Sequence, residues 1–103
     1  MSVIQLHADN FEQEVLKSDR TVLIDFYADW CNPCRMLSPT VEKIADERED
    51  IKVCKVNVDS EGALAAKFAV DAIPMLAVVR DGKTVKTSVG YIPEQAVLDL
   101  LEE

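Results

Sequence analysis

At 103 residues and 49% hydrophobic content, the chain can bury a core without metals or disulfide staples, and one domain over residues 1–103 is expected. Nineteen acidic residues against eleven basic ones give a net charge of −8, which disfavours nucleic acid and anionic membrane, since both need a cationic face. No apolar run approaches the roughly 20 residues of a membrane-spanning helix, and Met1–Asp9 lacks the basic-then-apolar pattern of a secretory leader.

Val3-Ile4-Gln5-Leu6 reads as a short edge strand. Asp9 or Asn10 can cap a short helix, with Glu12 or Gln13 as capping-box partner and Phe11, Val15 and Leu16 on its inner face. Residues 21–28 form a nearly continuous apolar run, the mark of a central strand covered on both faces. Asp25 interrupts it, and a carboxylate is costly to bury ionised. A helix then runs from about Pro33 to about Arg48, with Met36, Leu37, Val41, Ile44 and Ala45 at helical spacing. Pro39 inside it must kink the helix or end it; the apolar period resumes beyond it, which favours a kink.

Residues 51–59 read as a second central strand, and Ser60–Val70 as a helix capped by Asp59 or Ser60. Leu76–Arg80 and Lys83–Val89 are strands joined by the hairpin signal Asp81-Gly82. Gly90 marks a bulge or a close backbone approach, and Pro93-Glu94 opens the last helix. The order β-α-β-α-β-α-β-β-α implies an α/β fold, a five-stranded mixed sheet flanked by four helices on both faces.

Two of the three cysteines, Cys31 and Cys34, form a Cys-x-x-Cys where the 21–28 strand meets the next helix. A thiolate is the nucleophile of disulfide exchange, and a free thiol near pKa 8.5 is mostly protonated at neutral pH. At a helix start, unbonded amides and the positive dipole end favour the anion. Pro33 has no amide, so the Cys34 N–H is the natural donor to the Cys31 sulfur. Trp30 is expected to wall one side and limit solvent, and Cys34, one turn in, to be the more buried, resolving thiol. Redox exchange is the leading reading. Half a zinc site is the weaker one, since only Cys54 and His7 remain as further ligands; no bound metal is expected. The odd cysteine count argues against a disulfide framework and for a reducing cytoplasm.

Other residues read two ways from spacing alone. Asp25 is either a buried acid exchanging protons with Cys34 through water or a strand-end aspartate bonded to backbone. Lys55 either reaches Asp25 and tunes it or snorkels to the surface. Pro74 is a strand-initiating proline, trans by default. Cys54 alternates with Lys55 and reads as a small buried hydrophobe, and His7 as a plain surface residue.

Taken together, the chain resembles the thioredoxin family from end to end. Asp25-Phe26-Tyr27-Ala28-Asp29-Trp30-Cys31-x-Pro33-Cys34-Arg35 is similar to that family's active-site signature. Pro39 resembles its helix-kinking proline, Lys55-Val56-Asn57-Val58-Asp59 its third-strand motif, and Ile73-Pro74 the dipeptide of its cis-proline. Gly82 and Val89-Gly90 resemble its hairpin and groove glycines.

The resemblance implies a protein-disulfide reductase of the thioredoxin fold, with Cys31 attacking and Cys34 resolving. It implies Asp25 as proton-transfer residue with Lys55 beside it, and Pro74 as a cis-proline. Trp30, Asn32, Pro33, Ile73, Pro74, Met75 and Gly90 would contact substrate. No bound cofactor is expected; electrons would come from NADPH through a separate flavin reductase. Partners would be that reductase and disulfide-containing proteins, with the chain a monomer. The alternatives are an oxidase or isomerase of the same fold, or a non-catalytic binding subunit. Three positions depart from the family pattern. Asn32 stands where Gly is common, Met75 where Thr is usual, and Asp71 adds an acid. The Asn32 amide, or a stiffer turn, is expected to stabilise the Cys31 thiolate and make the couple more oxidising.

Overall fold

A computed structural model describes residues 3–102; the expected domain ends at Met1 and Glu103 lie outside them. Five strands form one sheet: β1 (Val3–Gln5), β2 (Thr21–Tyr27), β3 (Ile51–Asn57), β4 (Met75–Arg80) and β5 (Lys83–Val89). Their spatial order is β1-β3-β2-β4-β5. β2 lies at the centre, parallel to β3 and antiparallel to β4. The helices are α1 (Asn32–Glu47), α2 (Gly62–Lys67), α3 (Glu94–Leu101) and an N-terminal π-type turn, Glu12–Leu16.

The continuous apolar run of β2 has the expected cause, because both of its faces are covered. Ile24 and Phe26 join Phe11, Val15, Cys54, Val56 and Leu64 under the π-type turn and α2. Leu23 joins Leu37, Val41, Ile44, Val53, Val97 and Leu101 under α1 and α3. Successive strand residues point to opposite faces, so the one run serves two cores. Asp25 falls on the α1 side and is fully buried.

Three local expectations are corrected. The first helix is wound wide, with the Lys17 N–H donating to Glu12 O five residues back. Asn10 does not cap it: its Oδ1 accepts from the His7 N–H and its Nδ2 donates to Gln5 O, both behind it in sequence. α2 is short and starts at Gly62 after Glu61, with no side-chain cap; Ala69, at φ +55°, lies beyond its end. The irregularity in the hairpin falls between Val78 and Val79, so of the two readings of Gly90 the bulge is set aside and the close backbone approach is kept. α1 runs on through Pro39 to Glu47, as the resumed apolar period implied.

Candidate active site

β2 ends at Tyr27, and Ala28-Asp29-Trp30 turns the chain into α1. Cys31 is the N-cap of α1, in extended conformation with φ −95° and ψ 110°. Its Sγ accepts the N–H of Cys34 at 3.2 Å, and its backbone N–H donates to Ala28 O. The helix therefore starts with a sulfur in the place where an oxygen usually caps. Pro33 occupies the first turn, where its missing N–H costs nothing. Cys31 and Cys34 are joined as a disulfide with Cα atoms 5.2 Å apart. Ala28 completes a small buried cluster with them, and Tyr27, Val58 and Ile73 pack around it.

The peptide bond between Ile73 and Pro74 is cis, as the resemblance implied and the base rate did not. Pro74 O accepts the Gly90 N–H at 2.7 Å, tying the start of β4 to the end of β5. Gly90 has φ +95°, a left-handed conformation that explains a glycine there.

The pair lies between two hollows. On one side, Trp30, Val58, Val70, Asp71, Ala72 and Ile73 line a shallow groove. On the other, a cleft of about 320 Å³ is lined by Tyr27, Ala28, Asp29, Cys34, Arg35, Ser38 and Lys55. Trp30 is 67% exposed, so it is a groove wall rather than a lid over the sulfurs. Its indole N–H donates to Asp59 Oδ2 at 2.9 Å, which fixes the ring without burying it.

Asp25 has neither oxygen hydrogen-bonded to any described residue. Burial raises its pKa from 3.8 to about 6, and the Lys55 charge only partly offsets this. Lys55 pairs with Asp25 in the β2–β3 register, but its ammonium donates to Ser38 Oγ and lies 3.6 Å from Glu42 Oε2. Lys55 thus acts on Asp25 through its charge, while its half-buried ammonium is anchored to α1 rather than reaching out to solvent.

Asn32 and Met75 are two of the positions that depart from the family pattern. Asn32 Oδ1 accepts from the Arg35 guanidinium at 2.7 Å, while the Cys31 sulfur has a backbone donor. Met75 is 5% exposed and packs in the core that holds Phe26, so its side chain is not on the substrate surface. Cys54 is fully buried in that same core, and burial pushes its thiol up to about 12. His7 has a partner, with Nδ1 2.8 Å from Glu61 Oε2. Among the described residues no three His, Cys, Asp or Glu are grouped to hold a metal ion, and no helix is long and apolar enough to cross a membrane.

The site thus brings together Cys31, Cys34, Trp30, Asn32, Pro33, Ile73 and Pro74, with Asp25 and Lys55 behind and Gly90 beside them. Sequence reasoning missed Ser38, Glu42 and the anchoring role of Asp59. Ser38 and Glu42 sit four and eight residues after Cys34, a helical spacing that marks one face.

The family model for thioredoxin matches residues 2–103. Thioredoxin of Porphyra purpurea is 42% identical over 104 residues, covering 100% of this chain and 97% of its own. Thioredoxin of Streptomyces clavuligerus is 47% identical over 90 residues, 87% of this chain and 84% of its own. Among solved structures, a mutant thioredoxin from Halobacterium salinarum superposes with a TM-score of 0.90 at 39% identity, covering 98% of this chain and 88% of that one.

Proposed function

The chain belongs to the thioredoxin family and is a dithiol–disulfide oxidoreductase, and we propose that it acts as a protein-disulfide reductase with Cys31 attacking and Cys34 resolving. The observation that carries the direction is the donor set at Cys31. Its sulfur accepts the Cys34 N–H at the start of a sixteen-residue helix, where the dipole and free amides favour a thiolate.

In the reduced protein the Cys31 thiolate attacks one sulfur of a substrate disulfide and expels the other as a thiolate, forming a mixed disulfide. Cys34 loses its proton and attacks Cys31 Sγ; the Cys31–Cys34 bond forms and the second substrate sulfur leaves. Two electrons pass from the pair to the substrate. Asp25 is the proton acceptor for Cys34. With a pKa of about 6 it is ionised at neutral pH, yet more basic than an ordinary carboxylate. Lys55 modulates it.

Substrate lies over the pair in an extended conformation, against Trp30, Asn32, Pro33, Ile73, Pro74 and Gly90. The groove beside Ile73 supports this reading. The whole chain, 1–103, works as one domain and as a monomer in the cytoplasm. A separate flavin reductase re-reduces it with NADPH, and no cofactor is bound. Oxidase, isomerase and pure binding roles are not favoured.

An insulin-reduction assay with a thioredoxin reductase and NADPH tests this. Catalytic turnover by the wild type is expected, and none by Cys31→Ser or Cys34→Ser. Stoichiometric partner binding without turnover would contradict the reductase and favour a binding subunit.

A further inference from the structure

Lys55 faces Asp25 across the β2–β3 ladder, yet its ammonium is committed elsewhere. Nζ donates to Ser38 Oγ, lies 3.6 Å from Glu42 Oε2 and sits 5.2 Å from the centre of the Tyr27 ring. Ser38 Oγ donates in turn to Glu42 Oε2 at 3.1 Å. Ser38 and Glu42 lie one and two turns after Cys34, so the thiol and both anchors share one face of α1. Both Asp25 oxygens, by contrast, lack a hydrogen-bond partner among the described residues.

We propose that Ser38 and Glu42 are positioning residues: they draw the Lys55 ammonium along α1 and keep it from closing an ion pair with Asp25. The consequence for catalysis rests on the proton-transfer role of Asp25 given above.

The physical basis is a competition for one cation. A carboxylate in contact with an ammonium loses proton affinity, by about one to three pH units. Such a carboxylate is a poor acceptor for a thiol proton. Burial acts on Asp25 in the opposite sense and prevails, leaving its pKa at about 6. Ser38 offers Lys55 an acceptor, and Glu42 offers it a counter-charge. Lys55 thereby satisfies its charge without Asp25, and Asp25 keeps its basicity. The other ionisable groups on this side are Tyr27 on β2 and Cys34 on α1, with Asp29 and Arg35 in the cleft wall. β4 sets only Leu76 opposite Asp25, and α3 contributes apolar Val97 and Leu101 to this core.

The test is to titrate the Asp25 carboxyl by carbon NMR in the oxidised full-length chain, and to record the pH profile of mixed-disulfide resolution in parallel. Ser38→Ala and Glu42→Gln should each lower the carboxyl midpoint by about half a pH unit, part of what a full ion pair would give. Lys55→Gln should raise it. In the Lys55→Gln background, Ser38→Ala should have no further effect, which a merely structural role would not produce. Midpoints unchanged or raised in both single variants would overturn the proposal, as would an undiminished Ser38→Ala effect without Lys55. A midpoint that moves while the rate profile stays fixed supports the tether and contradicts the catalytic role of Asp25.

Discussion

Asp25 is where burial and charge oppose each other most directly. Its pKa is 3.8 when solvated and about 6 in the fold. The folded chain therefore holds this proton more tightly than the unfolded chain does. The stabilisation it brings is complete below about pH 4 and is lost as pH rises through 6. The gap corresponds to about 3 kcal/mol at 1.36 kcal/mol per pH unit. Asp25→Asn, which resembles the neutral acid, should gain about 2–3 kcal/mol over wild type at pH 8 and almost nothing at pH 4. Urea unfolding at the two pH values reads the difference; an equal gain at both would locate the cost elsewhere. At Asn32 the amide oxygen accepts from Arg35, which leaves the amide N–H groups and the stiffer turn as the routes to the couple. Both favour the thiolate, so Asn32→Gly should lower the reduction potential by up to about 30 mV, or 1.4 kcal/mol. Equilibration with glutathione buffers measures it, and an unchanged or higher potential would remove Asn32 from the account.

At the scale of elements, α1 and the β4–β5 hairpin show what patterning can and cannot convey. The run Thr21–Tyr27, the Pro33 start and the resumed apolar period beyond Pro39 make β2 and α1 legible, because burial on fixed faces leaves a fixed spacing. The π-type turn is not legible. Phe11 and Val15 are four apart, as on any helix, and the wider winding shows only in the Lys17–Glu12 bond. Asn10 has the right type for a cap, but its side chain serves Gln5 and His7. In the hairpin, Asp81 at φ +53° and Gly82 at φ +77° both adopt left-handed conformations, the geometry of a type I′ turn. A Cβ on Gly82 would also meet Leu16 O at 3.3 Å. Gly82→Ala should therefore cost about 1–2 kcal/mol in denaturant unfolding. A loss below a few tenths would mean that the turn relaxes.

Over the whole molecule, the sheet divides the cysteines by face and by chemistry. Cys31 and Cys34 lie at the β2–α1 junction, and Cys54 is sealed in the core beneath α2 and the π-type turn. With the pair oxidised, a thiol reagent should find no reactive group in the native chain and should label Cys54 after unfolding, because burial holds that thiol protonated. Rapid native labelling of Cys54 would contradict that separation. The cysteine pair and its helix were readable because the chemistry is local in sequence. Asp25, Lys55 and Pro74 needed the family resemblance, since spacing alone left their roles or geometry open. Ser38, Glu42 and Asp59 needed coordinates, because their partners lie 17, 13 and 29 residues away and carry no short motif. The proposed exchange engages Cys31 first and Cys34 second. Mass mapping of the mixed disulfide trapped by Cys34→Ser with a disulfide peptide tests it most directly. The substrate cysteine should be found on Cys31, with no adduct formed by Cys31→Ser; an adduct on Cys34 in Cys31→Ser, equal in yield, would contradict it.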